Sequence, residues 1–211
     1  MSPLTKASRW WRRPVLPAVL RAAMEPDERI LVTAPCEDGR MLAVSRFGLW
    51  VVTDPSGPAA GAERIGWELI ARARLTARML SVLSTRVADR IDTGGVASAL
   101  EQHVGDPAGG IEVAIEGGVE VLVDEPELTF ALATRSGLTD VVHNRVRRSV
   151  AASRYLPFPG AGGWVVLRRV PGHDGLTRQV RLDPGADLAV PGFADAVITV
   201  ADDLGRTLPE A

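Results

Sequence analysis

The residues of this chain with chemistry to offer are three histidines, one cysteine, a glycine-rich turn, a few acidic pairs and a scatter of arginines. His103, His143 and His173 stand 40 and 30 residues apart, with no Cys, Asp or Glu at zinc-ligand spacing, so no metal site is expected. Cys36 is followed by Glu37 and Asp38, acidic neighbours that raise a thiol pKa rather than activate it. Gly160-Ala161-Gly162-Gly163 lacks the spacing of a phosphate loop and precedes a strand pattern, whereas a phosphate cradle needs amides at a helix N-terminus. No Gly-x-Ser-x-Gly elbow is present, and Asp124-Glu125 and Asp202-Asp203 read as a turn and a solvated helix face. Nothing assembles a nucleophile, a base and an oxyanion donor, so the chain is expected to be no enzyme and to carry no cofactor.

Basic side chains are the remaining candidates. Trp10, Trp11, Arg12 and Arg13, near Lys6 and Arg9, combine indoles with cations, the pairing that favours an anionic membrane interface. The alternative is a short helix whose Leu16, Val19 and Leu20 stripe packs on the body of the protein. Arg145, Arg147 and Arg148, with Arg168-Arg169, form an anion-binding surface if they converge, and are ordinary solvated charges if they do not. A net charge of −2 and 5% aromatic residues argue against nucleic acid as partner.

A length of 211 residues, 46% of them apolar and 24% charged, suits a folded chain with a real core. A lone cysteine makes no internal disulfide, which points to a reducing cytoplasm. No apolar run approaches the ~20 residues of a membrane span. The N-terminal apolar stretch is short and broken by Pro14 and Pro17, so it is expected to be retained rather than cleaved.

The elements that must position these residues are mostly strands. Arg29 to Ala34 is β-branched and apolar, Asp38-Gly39 is a hairpin turn, and Met41–Val44 and Leu49–Thr53 follow as strands. After a Pro/Gly/Ala loop, Arg64–Trp67 alternates, Glu68 marks a turn, and Leu69–Leu75 begins another strand, giving five sequential antiparallel strands. Trp50 and Trp67 are expected in the core. Val96–Val104 reads as a helix, and Ile111–Ile115 and Val119–Val123 as a hairpin about Gly117-Gly118, with Leu128–Leu132 as a further strand. Leu138, Val142 and Val146 line one face of a helix running to Arg148. Residues 149–211 then read as a small β-meander, with Phe193, Val197, Val200 and Leu204 on one side of a covering helix. The expected division is 1–26 as a basic, tryptophan-bearing segment, 27–148 as one domain, and 149–211 as a unit packed on it.

Two blocks carry a family resemblance. Gly39-Arg40-x-Leu42-x-Val44-Ser45-Arg46-x-x-Leu49-Trp50-Val51 and Arg64-Ile65-x-Trp67-Glu68-x-Ile70-Ala71-x-Ala73 resemble bacterial pleckstrin-homology-like, GRAM-like domains, among them actinobacterial proteins of similar composition. The likeness spans residues 27–76 best and thins towards 148. It implies an α+β fold: a bent antiparallel sheet or partial barrel of pleckstrin-homology-like type closed by the helix near 138–148. It also implies a non-enzymatic scaffold or adaptor for a protein partner, at the cytoplasmic membrane surface or free of it, with a second copy of the chain as a further candidate. The competing expectation is a small-ligand protein or enzyme with a pocket between the two units.

Overall fold

The computed structural model of the chain describes residues 16–92 and 117–208. Trp10, Trp11, Arg12 and Arg13, the helix expected at 96–104 and the strand expected at 111–115 lie outside those residues.

Helix α1 (Ala18–Ala23) leads into a four-stranded antiparallel sheet, β1 (Ile30–Pro35), β2 (Met41–Ser45), β3 (Gly48–Thr53) and β4 (Gly61–Gly66), paired in chain order. The β1–β2 turn uses Gly39 at φ 85°, a backbone that side chains rarely tolerate. Alternation gives the sheet two apolar faces. Leu42, Val44 and Leu49 enter the main core, while Ala43, Trp50 and Val52 turn outwards and are covered by Leu20, with Leu16, Val19 and Met24 partly buried around them. A buried carboxylate fastens this cover: Glu28 accepts from Trp50 Nε1 at 2.8 Å, from Arg64 at 3.2 Å and from the Ser45 hydroxyl.

The chain leaves this sheet at a single 3-10 turn, Trp67–Leu69, and β5 (Ile70–Thr76) opens a second, seven-stranded one. The expectation of five sequential antiparallel strands therefore holds for β1 to β4 and fails at β5, which pairs with β6 (Met79–Ile91) instead of β4. The turn around Trp67 redirects the backbone before another ladder with β4 can form. Along its 13 residues, β6 carries β5 on one edge and, end to end on the other, β7 (Val119–Asp124) and β8 (Leu128–Ala131). Pro126 sits in the break between β7 and β8, where a missing amide costs no ladder bond. The ends of β1 and β8 meet at a Cys36–Leu132 bridge, with Glu37 N donating to Ala131 O at 2.8 Å and Ala133 N to Pro35 O at 2.9 Å. The outcome is an α+β protein, mostly sheet, with a curled half-barrel. Inside the curl, Trp67, Phe130, Leu80 and Ile70 meet Leu138 and Val142 of helix α2 (Leu138–Ser149), and Val146 packs beside them.

Strands β9 (Val150–Phe158), β10 (Ala161–Arg168) and β11 (Thr177–Leu182) form the expected antiparallel meander, covered by helix α3 (Phe193–Arg206). Val165, Leu167 and Val180 face Phe193, Val197, Ala201 and Leu204. One pairing departs from expectation: β11 runs parallel to β7, Gln179 opposite Glu120 and Arg181 opposite Leu122. The order is β5-β6-β7-β11-β10-β9, so a single sheet runs through both halves. With β6 and β11 on either side of Glu120–Leu122, both edges of β7 are taken there.

Cys36 is buried, and desolvation together with the Asp38 charge pushes its thiol pKa up against the opposing Arg40. Its alkylation in the native protein is expected to be at least about tenfold slower than in urea, because reaction requires local opening. Equal rates, followed by mass spectrometry, would contradict the burial.

Candidate functional site

Because side chains alternate along a strand, the second sheet presents a second face on the side opposite α3. Leu122 of β7, Trp164, Val166 and Arg168 of β10, and Gln179 and Arg181 of β11 all point to it. With Ala71 of β5, Thr85 of β6 and Ser153 of β9, they line a cavity of about 250 Å³. The cavity lies where the two halves of the chain meet, which is what β7–β11 pairing brings about.

Arg168 ends β10 next to a bulge and is only 6% exposed. Its Nη1 donates to Ser149 Oγ at 2.8 Å and to Trp67 O at 3.3 Å, and its Nη2 to Ile70 O at 3.3 Å. The head of the side chain is thus held by the 3-10 turn, the start of β5 and the end of α2. Among the described residues its Nε has no partner and no carboxylate lies within ion-pair reach. Burial pulls the guanidinium pKa down while the charge of Glu68 opposes the fall. Arginine nonetheless stays charged, so this is a buried cation with no direct ion pair among the described residues, opposed only by the Glu68 charge beyond ion-pair reach.

Gln179 is fully buried; its Nε2 donates to Glu120 at 3.0 Å, and its Oε1 has no partner among the described residues. Glu120, acceptor only when ionised, fixes which way the amide points. At the other side of the cavity Arg181 makes a two-point ion pair with Asp124, 2.6 Å for each bond, which raises its pKa and neutralises it. Trp164 is 45% exposed and tilts against Tyr155, ring centroids 5.6 Å apart, forming an aromatic rim. The Tyr155 hydroxyl donates to Asp183 at 2.7 Å, which raises the phenol pKa.

The basic residues singled out in the sequence lie elsewhere. Arg147 and Arg148 are exposed on α2, Arg145 is half-buried, and none lines the cavity. Of the Arg168-Arg169 pair, Arg169 is exposed, and Arg168, expected at the surface with it, is buried. His143 contacts Ala73 O at 2.8 Å, a contact that ties α2 to β5. Among the described residues no group of three or more His, Cys, Asp or Glu is disposed to hold a metal ion, and no helix is long and apolar enough to cross a membrane. Sequence reasoning named Arg168 only as half of a surface pair and missed Gln179. The alternation of Val165 and Leu167 did imply that Arg168 faces away from the α3 core, but no signal told that its face would be covered. The chain matches no family model, no curated protein and no solved structure.

Proposed function

We propose that this chain is a non-enzymatic binding protein, its first half of pleckstrin-homology-like type, whose recognition site is the cavity between the halves and whose ligand is a small organic anion. The arrangement of β1 to β6, β8 and α2 supports the family resemblance. One observation carries the functional reading: a buried, charged arginine with no direct ion pair among the described residues, Arg168, lines a cavity of about 250 Å³. An anion entering there gains a charge-assisted hydrogen bond and supplies the direct ion pair that Arg168 lacks. The sequence puts a protein partner first and a pocket second; the cavity supports the pocket reading. The described residues around it are suited to binding rather than catalysis, since the Thr85 hydroxyl donates to Leu69 O at 3.0 Å and, among the described residues, no imidazole or carboxylate lines the cavity to activate it or Ser153.

Thermal unfolding with increasing phenylacetate, and in parallel with the neutral phenylacetamide, tests the reading. A ligand at ten times its Kd adds about 1.4 kcal/mol, or about 3–6 °C in Tm for a chain of this size. The acid is expected to raise Tm saturably and the amide to leave it unchanged. No shift with either, or equal shifts with both, would overturn the reading.

A further inference from the structure

The donors and acceptors left unpaired in the side chains that line the cavity specify more than a charge. A guanidinium has five N–H donors. In Arg168 three are placed, on Ser149 Oγ, Trp67 O and Ile70 O, which leaves Nε–H and one hydrogen on Nη2. Nε and Nη2 are the same two atoms through which Arg181 grips both oxygens of Asp124, so the fold already contains the pairing that Arg168 lacks.

The second open atom has the opposite polarity. Gln179 Oε1 accepts and has no donor. Gln179 stands opposite Val166, one pleat period from Arg168 on the same face, and such diagonal neighbours across a ladder are ~7–8 Å apart between Cα atoms. Both side chains are more than nine-tenths buried and both line the cavity. A ligand that answers both has two anionic oxygens in one plane and, one or two bonds away, an O–H or N–H. Its remaining surface meets Leu122, Val166 and Trp164. At about 250 Å³ the space falls just below the ~300–1,000 Å³ of drug-sized sites, so the molecule is small.

We infer that the ligand is a small organic carboxylate carrying a hydroxyl or amino donor next to the carboxylate and an apolar or aromatic tail: Arg168 takes the carboxylate, Gln179 Oε1 the adjacent donor, and Trp164 the tail. The inference rests on the pocket reading above and narrows it. A phosphoryl group fits less well, because its additional charge finds no second free cation among the described residues lining the cavity, Arg181 being held by Asp124.

Isothermal titration of the full chain with 3-phenyllactate, 3-phenylpropionate and inorganic phosphate separates these statements. The hydroxy acid is expected to bind about tenfold more tightly than its deoxy analogue, since a buried acceptor left unpaired costs on the order of one hydrogen bond. Phosphate should bind weakest. In Gln179→Met, which keeps the volume and removes Oε1, the ratio between the two acids should fall to about one; near-ultraviolet circular dichroism checks that the variant is folded. Equal affinity of the wild type for the two acids would overturn the assignment of the donor while leaving an anion pocket in place. Tightest binding of phosphate would overturn the carboxylate, and a ratio unchanged in Gln179→Met would remove Gln179 from the site. If none of the three binds, the pocket reading itself falls, and this inference with it.

Discussion

Trp67→Ala is expected to destabilise the protein by about 3–5 kcal/mol, the range for truncating a fully buried aromatic. Trp67 is 1% exposed, sits at the turn between the two sheets, and donates its indole N–H to Arg46 O at 3.1 Å. Its removal opens a cavity between Leu42, Ile70, Leu138 and Val142 and leaves a carbonyl without its donor. Against a total stability of ~5–15 kcal/mol that is a large share. Trp67→Phe, which fills most of the space, should cost about 1–2 kcal/mol, since its main loss is the hydrogen bond. Urea unfolding measures both; a loss below about 1 kcal/mol for Trp67→Ala would mean that the sheets do not depend on this contact.

The second large effect concerns Arg168, and there two terms oppose each other. Arg168→Met removes three hydrogen bonds, two of them long at 3.3 Å, and Ser149 keeps its own bond to Val146 O at 2.7 Å. It also removes a buried charge that has no direct ion pair and only the more distant Glu68 to oppose it, and a buried charge left unpaired costs about 3–5 kcal/mol. The charge term is the larger, so the ligand-free variant is expected to be more stable than the wild type by about 1–2 kcal/mol. At the same time its affinity for phenylacetate should fall more than about tenfold, the loss of one charge-assisted pair. Gain of stability with loss of binding marks a residue kept for its ligand. A variant destabilised by several kcal/mol would assign Arg168 to holding the fold.

Local features were readable wherever one residue type answers one local demand. Asp38-Gly39 marks the first hairpin because the turn needs positive φ, and the Leu138, Val142, Val146 and Phe193, Val197, Leu204 stripes mark the buried sides of α2 and α3. Trp50 and Trp67 are buried as their size and surroundings suggest. What was not readable is which strand lies beside which. The parallel pairing of β11 with β7 joins residues almost sixty positions apart, and nothing within either strand encodes the choice of neighbour. The candidate site is a product of that choice: Gln179 and Leu122 share a wall only because β11 and β7 are adjacent. Glu28 was missed for a similar reason, since its donors Trp50, Ser45 and Arg64 come from three later strands. Arg168-Arg169 reads as a surface pair because arginines are mostly exposed, a rule that fails when a covered sheet face supplies its own carbonyls.

The central claim is that Arg168 presents its free Nε–H to an anion, and nuclear magnetic resonance of arginine side chains reads that atom directly. With the Arg168 and Arg181 Nε–H signals assigned by substitution, phenylacetate is added to the full chain. The Arg168 signal is expected to move downfield and saturate as the carboxylate engages it, while that of Arg181, already paired with Asp124, stays where it is. An Arg168 signal that does not move at saturating probe would contradict the claim.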